Sequence, residues 1–320
     1  MRGVKSLAKR LSDIQGYARF AKWICENGLP GDVLYHGGGI GDELLMSSVA
    51  LERKKRGLST TWIMSRHGEL FEHNRNVTGL IPWNGYARMA LRKLGCPVVP
   101  LHYWTWDQET DTGPKPVRHY ITEMCRLAGL SGEIVRRPYI ELTSVEREWG
   151  GRFEGAVVIQ PSSMGARLAM ANKQWSLEKF QAVVDTLKGE FEIVQLGAAS
   201  EPLMEGARDL RGATSVRESA AILSRARIFV GLEGFLMHLA RAVECRSVIV
   251  YGGRGTPDIV GYSCNENLVT VLECSPCWRW NTCAYDRECM TRISTNHVLE
   301  ATRRQLARVG EPLVEDSDFI

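Results

Sequence analysis

The chain has 320 residues, 44% apolar and 24% charged, a globular composition that is too long for one ordinary core and suits two α/β domains. Its formal net charge of only +3 excludes a general nucleic-acid-binding field. No apolar run approaches the roughly 20 residues needed to span a bilayer, and residues 1–10 carry charges without an apolar core behind them, so neither a transmembrane helix nor a secretory signal is expected.

Residues 1–30 read as an N-terminal amphipathic helix. Val4, Leu7, Leu11, Ile14 and Ala18 recur every three or four residues, with Tyr17, Trp23 and Ile24 widening the stripe. Lys5, Lys9, Arg10, Arg19 and Lys22 lie mostly off it. Such a helix either packs on the protein or makes peripheral contact with an anionic membrane.

Residues 31–150 read as a first Rossmann-like domain. A strand over 32–36 runs into Gly37, Gly38, Gly39 and Gly41, and a helix follows over 42–56. Residues 60–65 suit a second strand. Residues 83–116, rich in Trp, Tyr, Pro and His, read as loops lining a cleft, and helical spacing returns over 117–130.

A cleaner alternation fills residues 151–300, a second domain. Strands are expected over 156–160, 192–196, 228–231 and 247–251, with helices over 177–188, 216–225, 236–244 and 297–309. The fold class is therefore α/β with parallel sheets, whose ligands collect at the C-terminal edges of the strands. Residues 301–320 read as the end of a helix and an acidic, frayed tail.

Chemistry concentrates in two places. After the strand ending at Gly231 come Glu233, Gly234 and a helix carrying His238, where free backbone N–H groups would meet a diphosphate. Ser162 and Ser163 follow an earlier strand and Lys173 precedes a helix, so hydroxyls and a compact cation can join that anion site. The plain alternatives are a solvated Lys173 and a surface or core His238. In the first domain, Asp42 opens a helix beside the glycine-rich loop. It is either a general base for a hydroxyl or a carboxylate favoured by the helix dipole, with Glu43 and His36 as further candidate bases.

Of nine cysteines, Cys25, Cys96, Cys125, Cys245 and Cys264 are scattered and read as buried thiols of a reducing, cytoplasmic compartment. Cys274, Cys277, Cys283 and Cys289 fall in one Cys-rich loop over 274–289. A C-x₂-C pair with two further thiols can hold a structural zinc or iron ion; disulfides and free thiols are the alternatives. Trp278, Trp280 and Tyr285, with Arg279 and Arg287, either cover that loop as local core or stack on a sugar.

These segments resemble glycosyltransferase family 9, the heptosyltransferase-like enzymes. Lys173-Gln174-Trp175 matches a Lys-x-Trp motif before a helix. Glu233-Gly234-Phe235-Leu236-Met237-His238-Leu239-Ala240 matches an Asp-Ser-Gly-x-Met-His-Leu-Ala type motif, and Tyr251-Gly252-Gly253 with Pro257 matches the following turn. Gly39-Ile40-Gly41-Asp42 resembles the family's Gly-x-Gly-Asp loop. The likeness covers residues 156–300 well and 31–56 weakly.

The resemblance implies a glycosyltransferase B fold, two Rossmann-like domains facing a central cleft. It implies inverting transfer from a nucleotide-diphosphate sugar without a catalytic metal. Asp42 would be the base, and Gly39 and Gly41 would line the acceptor side. Ser162, Lys173, Gly197, Glu233, Gly234 and His238 would bind the donor, with Glu233 and Gly197 toward the nucleoside and domain closure ahead of chemistry. The acceptor would be a hydroxyl of a glycan, glycolipid, protein or small molecule. Glu233 and Phe235 depart from the family's Asp and second Gly and imply an altered donor pocket. A nucleotide-sugar epimerase of the same fold and a non-catalytic sugar-nucleotide-binding protein are the alternatives.

Overall fold

The computed structural model describes residues 16, 18, 20–58, 60–83 and 85–320. Its first helix, α1, is helical over 20–27, and the stripe from Val4 to Ile14 lies outside the described residues. Phe20 is buried, and Trp23 and Ile24 pack with it against Val33, Tyr35 and Met64, so this stretch joins the core of the first half.

That core surrounds a parallel sheet of β1 (Val33–Tyr35), β2 (Trp62–Ser65), β3 (Gly79–Pro82) and β4 (Val98–Pro100), in the order β3-β2-β1-β4. Helix α2 (Ile40–Lys55) leaves β1, and α3 (Gly85–Lys93) leaves β3. Residues 83–116 are therefore not all loop. Helix α3 buries Ala87 and Leu91, one turn apart, and β4 sits at the sheet edge, where Pro97 and Pro100 cost no central ladder bond. Only the stretch after Pro100 is irregular. Next come α4 (Tyr120–Leu127), β5 (Glu133–Val135) and α5 (Ser144–Gly150).

The second half is built on a six-stranded sheet of β6 (Val157–Gln160), β7 (Ile193–Gln195), β8 (Arg208–Asp209), β9 (Ile228–Leu232), β10 (Ser247–Tyr251) and β11 (Glu266–Val269). It is parallel throughout, in the order β11-β10-β9-β6-β7-β8. Strands β9 and β10 are buried along their whole length, as central strands covered on both faces must be. Helices α6 (Leu177–Leu187), α7 (Val216–Leu223), α8 (Phe235–Ala242), α9 (Pro257–Val260), α10 (Glu288–Thr291) and α11 (Thr295–Ala307) complete it. Ser176, Ser215 and Ser294 accept from the N–H groups of Lys179, Glu218 and His297, which fixes where α6, α7 and α11 begin.

Helix α2 packs against α8, so one apolar cluster runs from Leu44, Leu45 and Val49 through to Leu236 and Met237. The halves are joined again at the C-terminal end. The expected frayed tail instead forms β12 (Ser317–Phe319), antiparallel to β5 of the first half. Its acids meet fixed partners: Asp316 accepts from the Ser263 N–H at 2.7 Å, and Glu315 accepts from Arg137 and Arg241, each at 3.0 Å. Among the described residues no helix is long and apolar enough to cross a membrane. Cys25 is exposed, unlike the other four scattered thiols, because it faces outward on α1.

Candidate active site

The C-terminal edges of both sheets open onto one cleft of about 520 Å³. Gly39, Gly41, Asp42 and Tyr103 line it from the first half; Lys173, Gly197, Glu233, Gly234, His238 and Arg254 line it from the second. Residues far apart in sequence thus meet in one space because each follows a parallel strand.

Asp42 is the third residue of α2. Its Oδ2 accepts from the Gly39 N–H at 2.7 Å, and its Oδ1 accepts from the Tyr103 phenol. The carboxylate is thus both a helix cap and a cleft group. Gly38 makes this possible: a Cβ there would lie 2.0 Å from Asp42 Oδ2 and 2.6 Å from the His36 ring. Tyr103 stacks on Tyr120 at 4.0 Å, and burial followed by the Asp42 charge pushes its pKa well above the ordinary value. It therefore remains a donor.

The other candidate bases stand behind the cleft wall. His36 Nδ1 accepts from the Gly38 N–H at 2.9 Å, and burial lowers the ring's pKa to about 4 against the opposing pull of Asp42. Glu43 is fully buried and accepts from Ser65 Oγ and from the Arg66 and His67 N–H groups. Neither lines the cleft.

On the opposite wall Lys173 Nζ lies 2.8 and 2.6 Å from the two oxygens of Glu233. Glu233 is buried and Lys173 is partly so. Burial lowers the Lys173 pKa while Glu233 opposes the shift. Burial raises that of Glu233, but Lys173 and then Arg254 outweigh it and hold the carboxyl below its usual range. Glu233 is therefore committed to Lys173.

His238 stands one turn into α8, with Nδ1 2.6 Å from the Tyr262 hydroxyl and its pKa lowered to about 4 by burial. The first bond inside α8 runs from His238 N to Gly234 O, which leaves the N–H groups of Phe235, Leu236 and Met237 ahead of the helical ladder. Phe235 narrows the cleft: a Cβ on Gly41 would touch its Cα at 3.4 Å and His238 Cδ2 at 3.5 Å.

Gly197 has φ +140°, and a Cβ there would meet Glu201 Oε2 at 2.2 Å. Glu201 in turn accepts from the Gly165 and Ala198 N–H groups. Ser162 is not on the cleft surface: its hydroxyl donates to Gln174 at 3.3 Å, and Ser163 takes the lining position.

Cys274, Cys277, Cys283 and Cys289 line a second cavity of about 560 Å³. All are free thiols, and among the described residues no three His, Cys, Asp or Glu side chains are drawn close enough to hold an ion. Backbone N–H groups do point at sulfur: Gly253 at Cys289 (3.1 Å), and Tyr285 and Arg287 at Cys283 (3.4 and 3.3 Å). Trp278 and Trp280 are buried as local core, whereas Tyr285 is exposed.

Three residues escaped the sequence reading. Tyr103 and Asp111 sit in the unpatterned stretch after β4. Asp111 accepts from the N–H groups of Trp280, Asn281 and Thr282, which fastens that stretch to the Cys-rich segment across the cleft. Arg254 follows the Gly252-Gly253 turn. An arginine at the C-terminal edge of β10 was the one available signal, since that edge faces the ligand side of the sheet.

Residues 143–286 match the model of glycosyltransferase family 9 (heptosyltransferase). No curated protein matches the sequence. Among solved structures, a glycosyl transferase family 9 protein from Veillonella parvula superposes with a TM-score of 0.65 at 16% identity, over 87% of this chain and 98% of that one. The E. coli ADP-heptose LPS heptosyltransferase II gives 0.64 at 15% identity, over 87% and 99%. The iron-containing dodecameric glycosyltransferase TibC from enterotoxigenic E. coli gives 0.65 at 13% identity, over 87% and 76%. At these identities the superpositions speak for the shared fold, two parallel α/β halves around a cleft.

Proposed function

We propose that this chain, whose residues 143–286 match the glycosyltransferase family 9 model, is a glycosyltransferase that moves a sugar from a nucleotide-diphosphate donor to an acceptor hydroxyl with inversion. The carrying observation is that Asp42 and the Lys173–Glu233 pair line the same cleft from opposite halves. An inverting transfer requires that arrangement, with a base beside the acceptor hydroxyl and an anion site on the opposite side of the anomeric carbon.

Asp42 takes the acceptor proton. Its oxygens keep lone pairs after accepting from Gly39 and Tyr103, and the two donors hold it in one orientation. The acceptor oxygen bonds to the anomeric carbon as the carbon–diphosphate bond breaks, and that bond's electron pair leaves on the diphosphate. The first N–H groups of α8 and the Lys173 ammonium are the donors available for the departing charge. His238, neutral because it is buried, contributes a hydrogen bond and no charge. The nucleoside extends toward Gly197 and Glu201, which line the same cleft.

Cys274, Cys277, Cys283 and Cys289 are taken as ligands of one structural zinc or iron ion. The N–H groups aimed at sulfur suit thiolates, and TibC, of the same fold, is described as iron-containing. The ion's chemistry there would be to hold the loop, with no part in transfer. Elemental analysis of purified protein is expected to find about one equivalent of zinc or iron, given four thiol ligands to one ion.

The test of the reading is turnover. Purified protein incubated with a panel of nucleotide sugars and candidate sugar acceptors should release nucleoside diphosphate only when an acceptor is present. Asp42→Asn should stop release while donor-induced thermal stabilisation persists. Full activity of that variant removes the base assignment, and product formed without acceptor favours an epimerase.

A further inference from the structure

Where α8 opens, the donor side of the cleft sets two cations, Lys173 and Arg254, beside one carboxylate, Glu233. Lys173 is matched by Glu233 through both carboxylate oxygens. Arg254 is 4% exposed, lines the same cleft, and makes no ion pair among the described residues. Its Nε is buried without a hydrogen-bond partner. The guanidinium meets the Tyr120 hydroxyl, and the carboxylate that feels its charge, Glu233, is already paired with Lys173. A buried guanidinium with no direct counter-ion of its own is costly, so one facing a ligand cleft is suited to receive an anion.

The Cys-rich segment holds Arg254 in that position. Cys277 N–H donates to the Gly253 carbonyl at 2.6 Å, and Trp278 N–H donates to the Arg254 carbonyl at 3.2 Å. The Gly253 N–H donates in turn to Cys289 Sγ at 3.1 Å. The guanidinium carbon lies 3.9 Å from the centre of the fully buried Trp278 ring, which fixes the plane of the charge. On the other side the turn is wedged against the lysine-bearing loop: a Cβ on Gly252 would lie 2.0 Å from the Asn172 carbonyl oxygen. Lys173 and Arg254 are thus set from two adjoining loops toward one space.

Resting on the transferase reading above, we propose that Arg254, presented by the Cys-rich segment, is the cation that receives the donor's diphosphate. The geometry gives that segment a second task beyond holding itself together, since its backbone and its tryptophan aim a charge into the active site. As the bond to the anomeric carbon breaks, the electron pair settles on the diphosphate oxygen and the acceptor proton settles on Asp42. The cleft then loses one negative charge on the acceptor side while the diphosphate gains one. Arg254 supplies the positive charge that Lys173, neutralised by Glu233, does not.

The probes are inorganic pyrophosphate, ADP, UDP and GDP, titrated calorimetrically into full-length wild type, Arg254→Met and Arg254→Lys. Methionine keeps much of the volume over Trp278, and thermal melts establish that each variant is folded. The expected result is wild-type binding of at least one probe, a loss of about tenfold or more in Arg254→Met, and partial recovery in Arg254→Lys, the pattern of a lost charge-assisted contact. Equal affinity in a folded Arg254→Met overturns this inference and leaves the transferase reading intact. Should Arg254→Met melt early, Arg254→Lys decides alone: undiminished binding by a flexible point charge contradicts a planar fork fixed over Trp278. No binding by wild type overturns both.

Discussion

Tyr103 donates its phenolic hydrogen to Asp42 Oδ1 from a stretch of chain that has no regular structure of its own. The ring is buried against Tyr120 and His36, so the hydroxyl has little choice of partner. Tyr103→Phe removes one hydrogen bond to a charged group, about 1.5–3 kcal/mol. Turnover should fall on the order of tenfold with donor affinity unchanged. Unchanged turnover in a folded Tyr103→Phe would mean that Tyr103 only fills space.

Asp111 bears on the same wall from further away. Burial would raise its pKa, but donors from Thr282, Asn281 and Trp106 bring it down to about 2. Asp111→Ala strips the carboxylate from three backbone N–H groups and the Thr282 hydroxyl, and should cost about 2–4 kcal/mol. Limited proteolysis followed by mass mapping should then cut within residues 101–116 of the variant and leave them intact in wild type. An unchanged digestion pattern would show that the stretch is held by its aromatic packing alone.

Glu146 on α5 and Arg217 on α7 form a bidentate pair, with N–O distances of 2.5 and 2.8 Å. The hydrogen bonds from Arg217 do most to bring the Glu146 pKa to about 2. A carboxyl depressed in the folded state contributes stability that is complete above its unfolded value and is lost as pH falls through the folded one. The window here is about pH 4.5 to 2. Glu146→Gln should therefore cost roughly 2 kcal/mol at pH 7, after allowance for solvent at this partly exposed pair, and much less at pH 2.5. Urea titrations at the two pH values measure it, and an equal loss at both would contradict the pairing.

Three buried histidines make stability fall in the same direction, in a higher pH window. Burial lowers His36 and His238 to about 4 and His119 to about 3. The unfolded chain takes up these protons near pH 6.5 and the folded chain does not, so stability drops as pH falls from 6.5 toward 4. Each site should contribute about 1.4 kcal/mol per pH unit in that window. His119 accepts from the Ile121 N–H at the start of α4, a role asparagine can take. His119→Asn should flatten the slope by one such increment, whereas parallel curves would show that His119 charges freely when folded.

The donor-side frame was legible because it rests on local signals. β9 is a continuous apolar run stopped by glycine, and α8 opens where the chain becomes helical again. Ser162 and Glu233 were placed in the right loops, but their partners, Gln174 and Lys173, decide where the side chains go. The stretch after β4 could not be read, since Asp111 pairs with residues about 170 positions away and has no periodicity to announce it. β12 was hidden for a similar reason: Ser317 and Asp318 carry no alternating apolar pattern, and Arg136, distant in sequence, pairs with Asp316 and Asp318. Arg254 was a basic residue in a turn until the fold set it over Trp278.

The boundary between moving bodies need not follow the order of the chain. Asp111 ties part of the first half to the Cys-rich segment, and β12 ties residues past α11 to β5. If the halves rock, residues near 111 would travel with the donor-binding body and residues 317–319 with the other. The seam would then run between Trp104, packed on Trp280, and its neighbour Tyr103, stacked on Tyr120 and hydrogen-bonded to Asp42. On this mechanical partition Tyr103, one residue from Trp104, would be among the first to feel an opening, so its hydrogen bond to Asp42, the proposed base, would loosen as the cleft opens.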